Sequence, residues 1–201
     1  IVTDPGDAEI YIDGQRKGSS PSQKGQTFAL KLEEGEYKVE VVIQSDGPKE
    51  KYAQKEIFVS KDSLQTVSLK LEERKSESFI KKLKEKYKNG VPEPEMVTIP
   101  AGSFKMGCIS GLDCKKNEQP VHTVTLKSFE ISKYEITFEQ WDACYADGGC
   151  DHYPHDGCDS CKVETSWGRG TRPVINVSWD DAQQYIRWLN KKTGKNYSLP
   201  S

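Results

Sequence analysis

No cysteine precedes Cys108 in this chain of 201 residues, and all six cysteines fall between positions 108 and 161. An excess of either charge is also missing: 29 Lys and Arg residues face 31 Asp and Glu residues, which gives no support for nucleic-acid binding. No apolar run approaches the roughly 18 residues of a membrane-spanning helix. Hydrophobic residues make up only 34% of the chain, but aromatic residues reach 9%, more than disordered chains usually contain. Composition therefore predicts folded domains without a nucleic-acid partner or a transmembrane segment.

The six cysteines lie in three pairs of near neighbours: Cys108 with Cys114, Cys144 with Cys150, and Cys158 with Cys161. An even number of cysteines in local pairs, beside Gly and Asp, is typical of disulfides that close small loops in an oxidising compartment. Six cysteines allow many connectivities, so the pairing of neighbours is a preference among them. We predict that all six form disulfides.

A metal site is the alternative for part of this region. Three cysteines and two histidines, the ligand types of structural zinc, fall within one short run: Cys150, His152, His155, Cys158 and Cys161. A structural zinc site usually ties together two separated pairs of ligands, whereas this cluster is local. We therefore favour disulfides and assign neither a metal ligand nor a catalytic residue here.

Residues 1–72 show the period of two that β-strands produce. The alternating segments lie at 8–12, 27–32, 37–43, 55–59 and 64–71. Turn signals such as Asp13-Gly14 separate them. Short strands joined by turns predict a small all-β domain, an antiparallel sandwich, and no constellation for catalysis occurs in this stretch.

The same stretch resembles the PEGA domain family. The resemblance rests on four runs in the expected order: Asp4 to Ala8, Ile10 to Gly14, Gly18 to Pro21, and Leu30 to Val39. The usual signature has a glycine directly before the alanine, whereas Gly6 stands one place earlier here. The resemblance implies a β-sandwich without catalysis, on a bacterial surface, periplasmic or membrane-attached protein.

The period changes in residues 73–94. Four apolar residues fall on one helical stripe: Phe79, Ile80, Leu83 and Tyr87. Ser76 is a candidate N-cap, and Asn89-Gly90 is a candidate stop. The opposite face is rich in lysine, but the stripe is short. We therefore predict a helical linker rather than a helix that binds membranes or nucleic acid.

Residues 95–201 mix strands and helices without a βαβ rhythm, so we predict an α+β domain. Thr137 and Ser178 are candidate N-caps of two helices. The apolar stripe of the second helix comprises Ala182, Tyr185, Ile186 and Leu189. We expect Trp179 and Trp188 to be core aromatics. His152 and His155 are expected to be exposed in a loop.

The motifs of this region resemble the formylglycine-generating-enzyme family, also called the sulfatase-modifying-factor domain. They are Met96-Val-Thr-Ile-Pro-Ala-Gly-Ser-Phe-Lys-Met-Gly107, Asn117-Glu-Gln-Pro-Val-His122, Phe129-Glu-Ile-Ser-Lys-Tyr-Glu-Ile-Thr137, Arg172-Pro-Val-Ile-Asn-Val-Ser-Trp-Asp-Asp-Ala182, Tyr185-Ile-Arg-Trp-Leu189 and Thr193-Gly-Lys-Asn-Tyr-Ser-Leu-Pro-Ser201. The resemblance spans nearly all of 95–201 and implies a C-type-lectin-like α+β fold, with calcium bound in the complete domain. It also implies a domain that is incomplete at its C-terminus, because family members continue beyond the position of Ser201.

The family's activity would be the copper-dependent oxidation, by O₂, of a sulfatase cysteine to formylglycine. Its two copper-binding cysteines lie in the C-terminal half, and none of the six cysteines here matches them. We therefore transfer no catalytic residue and expect no cofactor in this chain; copper applies only if the oxidase interpretation holds. Family members of the bacterial type often carry the loop that contains Cys144 and Cys150, which implies a disulfide there.

These features favour a non-catalytic binding or interaction module of a bacterial periplasmic or extracellular protein. The expected partners are an unidentified protein or glycan and the missing C-terminal half of the domain, supplied as a separate or cleaved chain. Two alternatives remain open. One is a formylglycine-generating oxidase whose catalytic half lies outside this chain, and the other is the sensor region of a larger signalling protein such as a membrane kinase.

Overall fold

The computed structural model describes residues 1–23, 26–90, 92–109, 114–157 and 167–200. The chain consists of two compact units, Ile1–Lys88 and Asn89–Ser201. The sequence predicts domain boundaries at residues 72 and 94 instead, and these boundaries stay a prediction. Within the described ranges, no helix combines the length and the apolar composition that a membrane crossing requires.

Strands dominate the first unit. Its elements are β1 (Val2–Asp4), β2 (Glu9–Ile12), β3 (Gln15–Ser19), β4 (Gly35–Ile43), β5 (Lys49–Val59), β6 (Ser68–Lys70), β7 (Glu72–Lys75) and the helix α1 (Glu77–Lys86). Five strands form an antiparallel sheet in the order β3-β2-β4-β5-β7, and β1 pairs with β6 in parallel. Asp13 and Gly14 make the turn between β2 and β3 with positive φ angles, as the Asp-Gly signal predicts.

The sheet and the β1–β6 pair share one apolar core. A period of two sends every second side chain of a strand to the same face. The buried members are Ala8, Ile10, Ile12, Val39, Val41, Val67, Leu69 and Leu71. Ser20 is also buried, and its Oγ accepts hydrogen bonds from the Ala8 N–H (2.9 Å) and the Thr3 hydroxyl (2.6 Å). The alternation that predicts the strands of this unit thus also identifies the residues of its core.

The strand predicted at 27–32 does not form. Phe28 exchanges two main-chain hydrogen bonds with Ile1 instead, at 2.7 and 3.0 Å. Phe28 and Leu32 are partly buried against the core of the unit. The alternation of this segment therefore reflects contact with the core and not a place in a sheet.

Strand β7 arises in residues assigned to the linker, where apolar alternation is missing. Pairs of opposite charge join it to β5: Arg74 bonds Glu50 at 2.8 Å, and Lys49 bonds Glu73 at 3.1 Å. Such cross-strand pairs stabilise an antiparallel ladder, but they leave no mark in the apolar pattern. This explains why the sequence pattern missed the strand.

Helix α1 begins where the sequence predicts. The Ser76 hydroxyl accepts the Phe79 N–H at 3.3 Å and so acts as the N-cap, and Leu83 of the predicted stripe is buried. The helix ends at Lys86, before the predicted stop at Asn89-Gly90, and it belongs to the first unit.

The second unit is built from two antiparallel ribbons and two long helices. Its elements are β8 (Met96–Ile99), β9 (Gly102–Met106), a 3₁₀ turn (Lys116–Glu118), β10 (His122–Leu126), β11 (Phe129–Ser132), α2 (Phe138–Asp147) and α3 (Trp179–Thr193). Strand β8 pairs with β11, and β9 pairs with β10. The mixture of strands and helices agrees with the predicted α+β class.

Both predicted N-caps of the second unit are present as reciprocal capping boxes. The Thr137 hydroxyl accepts the Gln140 N–H at 3.3 Å, and the Gln140 side chain accepts the Thr137 N–H at 2.9 Å. Ser178 and Asp181 repeat this arrangement at 3.2 and 2.9 Å. Burial alone would raise the pKa of Asp181, but hydrogen bonds from Ser178 hold it below its ordinary value. Each helix ends at a glycine in the left-handed conformation.

The core of the second unit gathers on α2 and α3. Its buried hydrophobic residues are Phe138, Trp141, Ala143, Cys144, Tyr145, Ala146, Cys150, Tyr185, Trp188 and Leu189. Helix α2 is buried around almost its whole circumference, whereas α3 buries a single stripe. A one-sided helix leaves its flanks available to line a cavity.

Candidate functional site: an apolar groove

A groove of about 1220 Å³ lies in the second unit and is called the α3 groove below. Three segments provide most of its lining: residues 126–132, which include β11, the apolar stripe of α3, and residues 195–200. The stripe contributes Ala182, Tyr185, Ile186 and Leu189, the four residues that the sequence predicts. Most of the other lining side chains are aliphatic or aromatic, with Lys127, Glu130 and Lys195 as the charged exceptions.

Aromatic rings support the groove from α2 and α3. Trp141 stacks on Tyr185 with ring centroids 5.5 Å apart, and the Trp188 ring is tilted against Tyr185 at a centroid distance of 5.6 Å. Only 2% of Tyr185 is exposed, and its hydroxyl makes no hydrogen bond to any described residue. Burial raises the pKa of this hydroxyl well above its ordinary value. Tyr185 is therefore a neutral phenol with an unused donor among the groove residues.

Hydrogen bonds fix the C-terminal side of the groove to α3. The Asn190 side chain donates to the Tyr197 carbonyl at 3.0 Å and accepts the Tyr197 N–H at 2.6 Å. Lys195 bonds Glu93 at 2.6 Å, and this hydrogen bond lowers the pKa of the Glu93 carboxyl. Segment 195–200 is thus a tethered wall of the groove.

A second polar network lies beside α2. The Arg169 guanidinium sits between the rings of Phe138 and Tyr153, at 4.4 and 4.2 Å from their centroids. It bonds the buried carboxylate of Asp142 and donates to the Pro154 carbonyl at 2.6 Å. Arg169 therefore fastens the loop after α2 to the helix.

The two histidines of the predicted loop also help to hold this loop in place. His152 Nε2 lies 2.9 Å from the Asn176 carbonyl, and the Trp141 indole donates to the His152 carbonyl at 3.0 Å. The Asn176 side chain donates to the carbonyls of His155 (3.0 Å) and Gly157 (2.8 Å). These contacts indicate a structural role for the loop. His155 is exposed as expected, whereas His152, which was also expected to be exposed, is half-buried because its ring and carbonyl contact Asn176 and Trp141.

Comparison with known proteins decides the family. Residues 81–201 match the family model of FGE-sulfatase, described as a sulfatase-modifying factor enzyme 1-like domain. The chain belongs to the FGE-sulfatase family. This membership agrees with the resemblance of the second region. The family match does not bear on the PEGA resemblance of residues 1–72, which stays a prediction.

Several relatives of the FGE-sulfatase domain cover part of this chain. The serine/threonine-protein kinase pkn1 of Chlamydia pneumoniae is 29% identical over 117 residues, which are 50% of this chain and 18% of the kinase. The inactive C-alpha-formylglycine-generating enzyme 2 of Bos taurus is 26% identical over 134 residues, covering 48% of this chain and 44% of that protein. The structure of PvdO from Pseudomonas aeruginosa shares 38% identity at a TM-score of 0.44, over 54% of this chain and 44% of that one. The chain spans well under two thirds of each relative.

Disulfides occupy the cysteines that the structure describes. Cys108 bonds Cys114, and Cys144 bonds Cys150, as the pairing of neighbours predicts. The third pair, Cys158 and Cys161, lies outside the described residues. The absence of catalytic residues from this FGE-sulfatase chain stays a prediction.

The alternative metal cluster loses one of its ligands to a disulfide. The Sγ atom of Cys150 is bonded to Cys144, so it offers no thiolate to a metal. Across the described ranges, no group of three or more His, Cys, Asp or Glu side chains is placed to hold a metal ion.

The prediction that Trp179 is a core aromatic is wrong. Trp179 is 67% exposed, whereas Trp188 is 5% exposed and belongs to the core. Trp179 and Trp188 are nine positions apart on α3, which places them on about opposite faces of an α-helix. Only one of them can face the core.

Sequence reasoning missed three polar residues that tie segments of the FGE-sulfatase domain together. Arg169, Asn176 and Asn190 lie outside any apolar stripe. The flanking glycines at 168 and 170 are the only signal near Arg169, and they report a turn, not an ion pair. Asn176 adopts a positive φ of 60°, which asparagine tolerates better than most residues. Hydrogen-bond partners 15 to 27 positions away decide the roles of Arg169 and Asn176, so no local pattern shows them.

Proposed function

We propose that the FGE-sulfatase domain of this chain is a non-catalytic module that binds a polypeptide in the α3 groove. The observation that carries this proposal is the large groove with a mainly aliphatic and aromatic lining. Binding sites of this composition take apolar ligands and orient them through a few polar groups. A glycan presents many hydroxyl groups and would leave them unpaired against this lining. The bovine relative is named an inactive formylglycine-generating enzyme, which agrees with a role in binding.

Selection of ligands tests the proposed groove. Phage-displayed random peptides of nine residues and a glycan array are presented to the folded chain in parallel. We expect peptides to be enriched, and their affinity to fall more than tenfold in the variant Ile186→Lys, because a lysine in the apolar lining would have to be desolvated by the ligand. The matched control is Ile109→Lys, since Ile109 is 70% exposed and does not line the groove.

Two results would contradict the proposal. One is enrichment of glycans alone, or of peptides that bind both variants equally. The other is formylglycine in a Cys-x-Pro-x-Arg peptide incubated with the copper-supplied chain and O₂, which would favour the oxidase. The C-terminal part of a family domain, supplied as a separate chain, is one polypeptide that the groove could accept.

The sensor region of a signalling protein is the second candidate. It is favoured by the matched relatives from Chlamydia pneumoniae and Chlamydia caviae, which are named serine/threonine-protein kinases. The chain covers only 18% and 22% of these proteins. A complete gene that encodes no kinase domain or other signalling domain would exclude this candidate.

For the first unit we propose a PEGA-like sandwich, and for the whole protein an oxidising compartment such as the periplasm or the cell exterior. The shared core of the sheet and the β1–β6 pair supports the first point, and the two disulfides support the second. Thiol titration of the denatured, unreduced protein checks the compartment. We expect at most the thiols of Cys158 and Cys161 to react, and six reactive thiols would exclude an oxidising location.

A further inference from the structure

We propose that a row of lysines on the first unit binds a linear phosphodiester polymer that carries no nucleobases. The row, called the lysine row below, consists of Lys49, Lys51 and Lys55 on β5 together with Lys75 on β7. It belongs to the first unit and lies outside residues 81–201, which match the family model. The proposal is therefore independent of the α3 groove.

Strand β5 separates its charges between the two faces of the sheet. Successive side chains of a strand point to opposite faces, and lysines hold three of the four odd positions from 49 to 55. The even positions from 50 to 56 hold no positive charge. Strand β7 places Lys75 directly opposite Lys49, on the same face. The period of two therefore collects four lysines on one face of the β5–β7 pair, where Glu73 is the only acidic residue of the two strands.

Two of the four lysines have no anionic partner. Lys51 and Lys55 are exposed and make no hydrogen bond or ion pair to any residue that the structure describes. Glu73 lies opposite Lys51, but its carboxylate bonds Lys49 at 3.1 Å. Like charges directly opposite each other on neighbouring strands repel, and Lys49 and Lys75 form such a pair. An anionic ligand would relieve this repulsion and would pair with Lys51 and Lys55.

The shape beside the lysine row favours a chain over a flat surface. Ala53 and Ile57 share the face of the row and pack against the core that the sheet forms with the β1–β6 pair. Packed β-layers lie roughly 10 Å apart, so the β1–β6 pair projects from this face beside the row. A flat bilayer would meet that pair before it reached the lysines, whereas a linear polymer can lie along the step between the pair and β5.

The side chains of this face select among linear polyanions. Lysine binds phosphate as a point charge, whereas arginine, which these two strands lack on this face, is preferred for planar carboxylates. Proteins that hold single-stranded nucleic acid stack its bases on aromatic side chains, but Tyr52 and Phe58 of β5 occupy even positions. Alternate residues of a strand lie roughly 6.7 Å apart, so the row fits phosphates that repeat along an extended chain.

The test uses a fluorescein-labelled oligomer of glycerol phosphate, whose anisotropy is followed as the folded chain is added. We expect the double variant Lys51→Gln/Lys55→Gln to weaken binding more than tenfold, because each lysine near an array of anions contributes about fivefold. The matched control is Lys17→Gln/Lys38→Gln, which removes the same charge from β3 and from the opposite face of β4. It should change binding by less than about twofold, since salt screens distant charges.

Ionic strength gives a second readout, which a purely structural effect of the substitutions would not change. Each phosphate contact with a flexible strand contributes about 0.7 to the slope of log Kd against the logarithm of the salt concentration. The double variant in the lysine row should therefore lower this slope by about 1.4, whereas the control should keep the slope of the wild type. Coincident circular dichroism spectra of the three proteins would show that all of them are folded.

Equal weakening by the two double variants, or an unchanged salt slope, would overturn the lysine row as the binding site. Single-stranded DNA, hyaluronate and phosphatidylglycerol vesicles are compared at the same salt concentration. Tighter binding of any of them than of the glycerol phosphate oligomer would overturn the proposed ligand in favour of a nucleic acid, a carboxylate glycan or a membrane. The variant Ile186→Lys should bind the oligomer as the wild type does, and loss of binding there would contradict the proposal.

Discussion

Replacing Trp188 with alanine is expected to lower the free energy of unfolding of the second unit by about 3–5 kcal/mol, the usual cost of removing a buried tryptophan. Trp188 is 5% exposed, and its indole donates to Asp147 at 2.8 Å. Gly149 packs so closely on the ring that a Cβ atom there would overlap it. A site this rigid cannot collapse to fill the cavity, which places the expected cost in the upper part of the range.

The matched control is Trp179→Ala on the same helix. Trp179 is 67% exposed, so we expect its replacement to change the free energy of unfolding by less than about 0.5 kcal/mol. Urea unfolding followed by tryptophan fluorescence measures both variants. All four tryptophans lie between positions 141 and 188, and the signal therefore reports on the second unit alone. Equal losses at the two sites would contradict the assignment of Trp188, and not Trp179, to the core.

Replacing Arg169 with methionine is expected to cost about 3–5 kcal/mol, because it removes the guanidinium that pairs with the buried carboxylate of Asp142. Asp142 is only 5% exposed and loses its guanidinium partner, while Phe138 and Tyr153 lose the cation between their rings. The control Arg172→Met removes an exposed guanidinium that lies 5.5 Å from the Trp167 ring. We expect that change to cost no more than about 1 kcal/mol.

A double variant separates charge from packing at this site. Adding Asp142→Asn to Arg169→Met removes the buried negative charge that Arg169 balances, so we expect it to recover at least about 1 kcal/mol. Urea unfolding measured as for the tryptophan variants gives the coupling between the two residues. A double variant as unstable as the sum of the two single changes would show that the ion pair does not link them.

Several features of this protein follow from its sequence because their causes are local. The capping boxes of Thr137 and Ser178 form because each partner lies three residues away along the chain. The core of the first unit follows from alternation, and the disulfides of Cys108 and Cys144 join cysteines six positions apart. The ordered motifs of the second region were sufficient to predict the FGE-sulfatase family.

Other features depend on residues that meet only in the folded chain. The edge strand β7 forms through charge pairs with β5, and Arg169 gains its role from Asp142, at 27 positions' distance. The burial of Trp188 and the exposure of Trp179 depend on which face of α3 meets α2. The α3 groove is likewise a product of packing. Local sequence therefore determined the helix caps and most of the strands, whereas only tertiary contacts decided which faces are buried, whether strand β7 forms and where the groove lies.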